Sequence, residues 1–169
     1  RNESPLMTIT KAQTAAVAAA LTATRGEGVM VDFCMRYGNP STGSKLRAMV
    51  EAGCEKNLFF PLYPHYAGAT SATANDQFFR ALMKEKRQPA VRTVPEYFEH
   101  PLYIDALAQS VERAWTGLSR KPDVLVASYH GMPKRYLAEG DPYHCQCQKT
   151  SRLLRERLGW DSGMINTTF

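Results

Sequence analysis

The sequence predicts an α/β protein built of parallel sheets flanked by helices, and three observations carry that reading. Short β-prone apolar runs alternate with helix-length stretches along the chain. The runs end at Gly/Pro-rich breakers. Chemically reactive side chains gather where the runs stop, as in open α/β sheets, whose ligands sit beyond the carboxyl ends of the strands.

Taken in order, residues 9–23 are Ala-rich and read as a helix capped by Thr8 or Thr10, ended by Arg25-Gly26-Glu27-Gly28. Residues 29–35 are apolar and β-prone, a buried strand stopped by the turn signal of residues 36–40. Ser41 or Thr42 then caps a helix through Val50, closed by Gly53. Residues 57–63 form a second strand and 64–70 a loop of small residues with two aromatics. Residues 73–86 are an amphipathic helix, with Phe78, Phe79, Leu82 and Met83 apolar and Pro89 ending it. A short strand over 90–94 stops at Pro95. The long helix over 101–118 has Pro in its first turn and Leu102, Ile104, Leu107, Val111, Trp115 and Leu118 along one face. Residues 123–129 form the fourth strand, 134–137 a helical turn, 145–158 a helix, and 164–169 a fifth strand. Alternation of this kind predicts right-handed crossovers between parallel strands.

Composition narrows the class. A chain of 169 residues accommodates one sizeable core or two small lobes. Hydrophobic and charged fractions of 44% and 22% are those of a globular protein, and no run approaches the roughly 18 apolar residues of a membrane span. The opening residues carry no secretory signal, which points to the cytoplasm. There is no initiating Met and the chain ends on apolar residues, so a piece of a longer protein is expected. The net charge of +5 is dispersed. It suits an anionic ligand or an anionic membrane surface, while nucleic acid is disfavoured because no basic stripe is interleaved with aromatics. The four cysteines, Cys34, Cys54, Cys145 and Cys147, read as thiols or metal ligands rather than a disulfide framework.

Three strand ends carry the chemistry: Cys34, Arg36 and Tyr37; Tyr63, His65 and Tyr66; Ser128, Tyr129 and His130. Parallel strands would bring these nine residues to one edge. Tyrosines, an arginine and an imidazole together suit a flat aromatic anion, with rings to stack on it and a guanidinium for its carboxylates. His130 stands out, because Gly131 and Pro133 leave little bulk around a ring able to accept a proton or bind a metal. His144-Cys145-Gln146-Cys147 has the residue types of an iron–sulfur or zinc site, though two thiols need further ligands. Asp141, beside Pro142, reads as a helix cap. There is no nucleophile elbow, phosphate-binding glycine loop or dinucleotide fingerprint, which argues against a hydrolase of that type and a Rossmann dehydrogenase.

Ser128-Tyr129-His130-Gly131-Met132-Pro133, Lys134-Arg135-Tyr136, Glu139-Gly140-Asp141-Pro142-Tyr143 and Thr150 closely resemble the signature of the ferrochelatases. Met35-Arg36-Tyr37 with Pro40, and Tyr63-Pro64-His65-Tyr66, are similar to two further blocks of that family in the same order. The resemblance implies insertion of Fe²⁺, a substrate, into protoporphyrin IX by a chelatase-like fold of two α/β lobes. This chain would be its middle part, with 1–121 the later first lobe plus linking helix and 122–169 the start of the second. Activity is then expected of the full-length enzyme. Carried over, His130 is the active-site histidine, as base or as iron ligand, and Arg36, Tyr37 and Tyr63 line the porphyrin cleft. His100 falls near a histidine that some members use as active. Cys145 and Cys147 resemble the internal cluster cysteines of some bacterial members, so the resemblance leaves open a [2Fe–2S] centre. It likewise leaves open peripheral membrane association and a homodimer. The alternatives are a cobalt or nickel chelatase of tetrapyrrole synthesis, or an iron–sulfur sensor module built on the two cysteines.

Overall fold

A computed structural model of the chain describes residues 3–120 and 122–169. The expected lobe boundary at residue 121, and the opening residues 1 and 2, lie outside the described residues. The chain packs as two compact units, one of Arg1–Phe60 with Ala74–Val94, the other of Pro61–Thr73 with Pro95–Phe169.

The first unit holds α1 (Pro5–Arg25), α2 (Thr42–Glu51), β1 (Lys56–Phe59), most of α3 (Thr73–Leu82) and β2 (Ala90–Thr93). β1 and β2 pair in parallel, Lys56 opposite Ala90 through Phe59 opposite Thr93. Their outward–inward alternation turns Phe59 and Val91 onto a core of Leu46, Phe78 and Leu82. Phe59 and Phe78 stack at 4.5 Å with planes 3° apart. Burying each large apolar side chain contributes roughly 1.5–3 kcal/mol.

Four expectations need correction. The strand expected over 57–63 is β1 and ends at Phe59, because Pro61 has no amide proton to continue the ladder. α1 begins at Pro5, because Ser4 rather than Thr8 or Thr10 caps it, accepting from Met7 N at 3.3 Å with Pro at the first turn. Residues 29–35 form no strand. Their only ladder contact among the described residues is the isolated bridge from Met35 to Ser41, and an extended run becomes a strand only where a neighbour takes its amides. α3 stops at Leu82 rather than 86, since Lys84 N and Glu85 N turn to carbonyls three residues back and tighten the chain.

The second unit holds a π-helical turn (Gly68–Ala72), α4 (Pro101–Thr116), β3 (Leu125–Ser128), α5 (Lys134–Ala138), α6 (Tyr143–Leu158) and β4 (Ile165–Thr168). β3 and β4 are parallel, Leu125 opposite Ile165 through Ser128 opposite Thr168, with α5 and α6 in the crossover. Along α4 and α6, Ile104, Ala108, Cys147 and Leu154 are buried, and Arg157 bonds Asp105 at 2.8 Å. Trp115 stacks on Trp160 at 4.2 Å. Gly159 ends α6 at φ 66°, a left-handed conformation that favours glycine. No helix among the described residues is long and apolar enough to cross a membrane.

Candidate active site

The second unit is unusual in having a polar interior. His65, Ser71, Gln146, Thr150 and Ser151 are all buried there. Buried polar groups must find partners, and these find one another over long sequence distances. Tyr66 N donates to Gln146 Oε1 at 2.7 Å, and Gly68 N to Asp141 Oδ2 at 2.8 Å. Tyr97 N donates to Pro64 O at 2.9 Å. The loop after β1 is thereby tied to the first turns of α6.

At the centre lies His65, 8% exposed, with Nε2 2.8 Å from Thr150 Oγ1. The Thr150 hydroxyl has one proton and gives it to Phe98 O at 2.8 Å. It can therefore only accept from the imidazole, so His65 carries its proton on Nε2. The rings of Phe98, Tyr103, Tyr129 and Tyr143 surround it at 5.5–6.4 Å. Burial among them pushes the imidazole down to about 4, so it is neutral near pH 7.

His130 is placed differently. β3 ends at Ser128, Tyr129 N makes a further ladder bond to Thr168 O at 2.9 Å, and His130 follows, exposed, just past the carboxyl end of the strand. This is where the sequence places it. Burial pushes the Tyr143 hydroxyl up to about 12 and the Cys147 thiol up to about 11. Asp141 does not cap α6, because the N-cap is Pro142, which has no amide proton and no side-chain cap bond; Asp141 instead closes a local turn, accepting from Tyr143 N at 3.0 Å, and its second oxygen takes Gly68 N. The Tyr129 hydroxyl meets Ser151 Oγ at 3.1 Å. Of the nine strand-end residues, the second unit brings His65 and Tyr129 into direct ring contact, 5.5 Å apart.

Arg36 and Tyr37 belong to the first unit. The Arg36 guanidinium lies 4.6 Å above the Tyr37 ring and donates to Gln77 Oε1 at 2.7 Å, while Tyr37 is 78% exposed. Tyr63, in the second unit, is 36% exposed. His100 is the N-cap of α4, its Nδ1 accepting from Leu102 N at 3.3 Å. That engages one ring nitrogen and leaves Nε2 as its other polar atom.

The cluster expectation does not fit the donor set. Cys145 and Cys147 lie two residues apart on α6, which at ~100° per residue sets them ~200° apart around the helix. Cys145 is exposed and Cys147 has no exposed surface. Two thiols on opposite sides of one helix cannot ligate a single [2Fe–2S] centre. Among the described residues no group of three or more His, Cys, Asp or Glu is arranged to hold a metal ion. An open groove of about 870 Å³ runs along α6 and β4 past Lys149, Arg152 and Arg155, but it includes none of the sequence-predicted site residues. Two of its cations are also paired, Lys149 with Glu99 and Arg152 with Glu156.

Sequence reading missed the roles of Tyr143 and Thr150. Both stand inside the quoted signature, yet nothing local indicates that they meet His65, Tyr143 through its ring and Thr150 through its hydroxyl, 85 residues away along the chain.

The family model described as Ferrochelatase matches residues 1–169. The ferrochelatase of Rhodobacter capsulatus is 71% identical over 170 residues, covering 100% of this chain and 48% of the relative. Those of Mesorhizobium japonicum and Rhizobium meliloti are 54% and 53% identical, covering 100% and 99% of this chain and 47% and 49% of theirs. The chain thus spans about half the length of the curated relatives it matches. The chain belongs to the ferrochelatase family.

Proposed function

We propose that the protein carrying this chain inserts ferrous iron into protoporphyrin IX to form protohaem, and that His130 is the reactive side chain this chain supplies. The observation that carries the proposal is the exposed His130 just past the carboxyl end of β3, in a chain matched to the family along its length. Metallation forms iron–nitrogen bonds and releases two pyrrole protons. An imidazole has one free lone pair, so at any instant His130 either accepts a proton or holds the incoming Fe²⁺. His65 does neither, because it is buried, neutral and donating from Nε2.

Arg36, Tyr37 and Tyr63 are assigned to the porphyrin. An exposed tyrosine ring offers a face to the macrocycle, and a guanidinium offers paired donors to a propionate. His100 remains a candidate for proton transfer through Nε2 alone. Residues 1–121 are assigned to the first lobe with its linking helix and 122–169 to the second. The net charge of +5 supports docking of a cytoplasmic protein at an anionic membrane surface, where a poorly soluble porphyrin would be met. A homodimer belongs to the same proposal.

The test is anaerobic incubation of the full-length protein with Fe²⁺ and protoporphyrin IX. Growth of haem absorbance with loss of porphyrin fluorescence is expected. Insertion of Co²⁺ or Ni²⁺ with no haem formed from Fe²⁺ would refute the assignment.

A further inference from the structure

The side chains of β3 say little about which face of the strand turns inward. Leu125 and Ala127 are half-buried, yet Val126 on the opposite face is also apolar and stands 57% exposed. Side chains alternate along extended backbone, so a slip of one residue would exchange the two faces. It would turn His130 into the unit and Tyr129 out of it. The observed alternation runs on past the end of the strand, with Ser128 exposed, Tyr129 half-buried and His130 exposed. Tyr129 is held at both ends. Its amide donates to Thr168 O at 2.9 Å, carrying the ladder to β4 one residue beyond the strand. Its hydroxyl lies 3.1 Å from Oγ of Ser151, which is buried on α6. Between these two points the ring stands edge-on to His65 at 5.5 Å and stacks on Phe169 at 5.7 Å. His65 is itself anchored, with Nε2 2.8 Å from Thr150 Oγ1. An imidazole reaches less far from its Cα than a phenol hydroxyl, so a slipped His130 would not replace the bond to Ser151.

We propose that Tyr129 is a positioning residue for the reaction: fastened between Ser151 of α6 and the ring of His65, it fixes the register of the strand end and so turns the His130 ring outward to the substrate. This rests on His130 being the reactive side chain. Tyr129 touches neither iron nor porphyrin in this role and acts through the backbone it shares with His130. Loss of the hydroxyl leaves the ring packing to hold the strand end loosely. Loss of the whole side chain leaves only the ambiguous apolar pattern of β3. Misplacing a reacting group by about 1 Å costs on the order of a hundredfold in rate. Porphyrin binding, assigned to Arg36, Tyr37 and Tyr63, does not draw on Tyr129.

The experiment uses the full-length protein with Tyr129→Phe, Ser151→Ala, Tyr129→Ala, His130→Ala and the double variants Tyr129→Phe/Ser151→Ala and His130→Ala/Tyr129→Phe, measured for kcat and KM in haem formation. Tyr129→Phe and Ser151→Ala are each expected to lower kcat about tenfold, with KM for protoporphyrin changed by less than about twofold. Combining them should lower kcat no further, because both remove the same bond. Tyr129→Ala is expected to lower kcat about a hundredfold. Tyr129→Phe should have no further effect when His130 is already alanine. A wild-type kcat in either Tyr129→Phe or Ser151→Ala would overturn the proposal, as would losses that multiply in their double variant or a change confined to KM. Equal losses from Tyr129→Phe with and without His130 would show a purely structural role and overturn it too. If Tyr129→Ala does not fold, Tyr129→Phe, which keeps the ring, and Ser151→Ala decide by the same criteria. A full-activity His130→Ala variant removes the functional reading itself, whereas loss in His130→Ala with wild-type kcat in Tyr129→Phe and Ser151→Ala removes only the positioning role.

Discussion

Replacing His65 by glutamine should flatten the acid side of the protein's stability profile. In the folded state the imidazole is held to about 4 by burial, against 6.5 in the unfolded chain. Between those values the unfolded chain takes up a proton that the folded one refuses. Stability is therefore full above about 6.5 and falls as the pH drops toward 4. From pH 7 to pH 5 the linkage relation gives a loss of about 2 kcal/mol from this one group, approaching about 3 kcal/mol by pH 4. Other groups titrate over the same range, so the informative quantity is the difference between wild type and His65→Gln. Glutamine carries an N–H donor in place of Nε2–H and no titrating group, so it keeps a partner for Thr150. Denaturant titrations at pH 7 and pH 5 measure it. Trp115 and Trp160, stacked at 4.2 Å in the same unit, report on the region around the histidine. The wild type should lose about 2 kcal/mol more than the variant between the two pH values. Identical losses, or an NMR titration of the His65 ring near its ordinary value, would refute the argument that this imidazole is neutral and donating.

Two further outcomes follow from the geometry. Asp141→Ala removes the acceptor for both Gly68 N and Tyr143 N, and should lower stability by roughly 1–3 kcal/mol in thermal unfolding, with Asp141→Asn intermediate because it keeps one acceptor oxygen. Cys145→Ala should leave haem formation and iron content unchanged, and the anaerobically purified full-length protein should contain no acid-labile sulfide bound through this helix. Sulfide present in the wild type and lost on Cys145→Ala would show that α6 does hold a cluster.

What was legible in the sequence was local. Ser41 at the start of α2, Pro101 opening α4 and the apolar run into His130 are short-range signals, and each element sits where they place it. The parallel pairing of both sheets followed from strand–helix alternation. The isolated state of residues 29–35 was not legible, because β-propensity describes a residue's fitness for a ladder and not whether a neighbour exists. The polar interior was also hidden: His65 and Thr150 meet through folding, and neither residue type announces burial. The cysteines teach a different lesson. Two of them two residues apart suggest chelation only while the helix is ignored. Once residues 145–158 are read as a helix, the same spacing sends the thiols to opposite sides, one exposed and one buried.

The most direct test of the central claim is iron insertion by the full-length protein with His130 intact and with His130→Ala, with porphyrin binding followed in parallel by fluorescence. The account predicts that haem formation falls at least about a hundredfold, as expected on removing a general base, while protoporphyrin still binds. Haem formation at the wild-type rate in His130→Ala would contradict it.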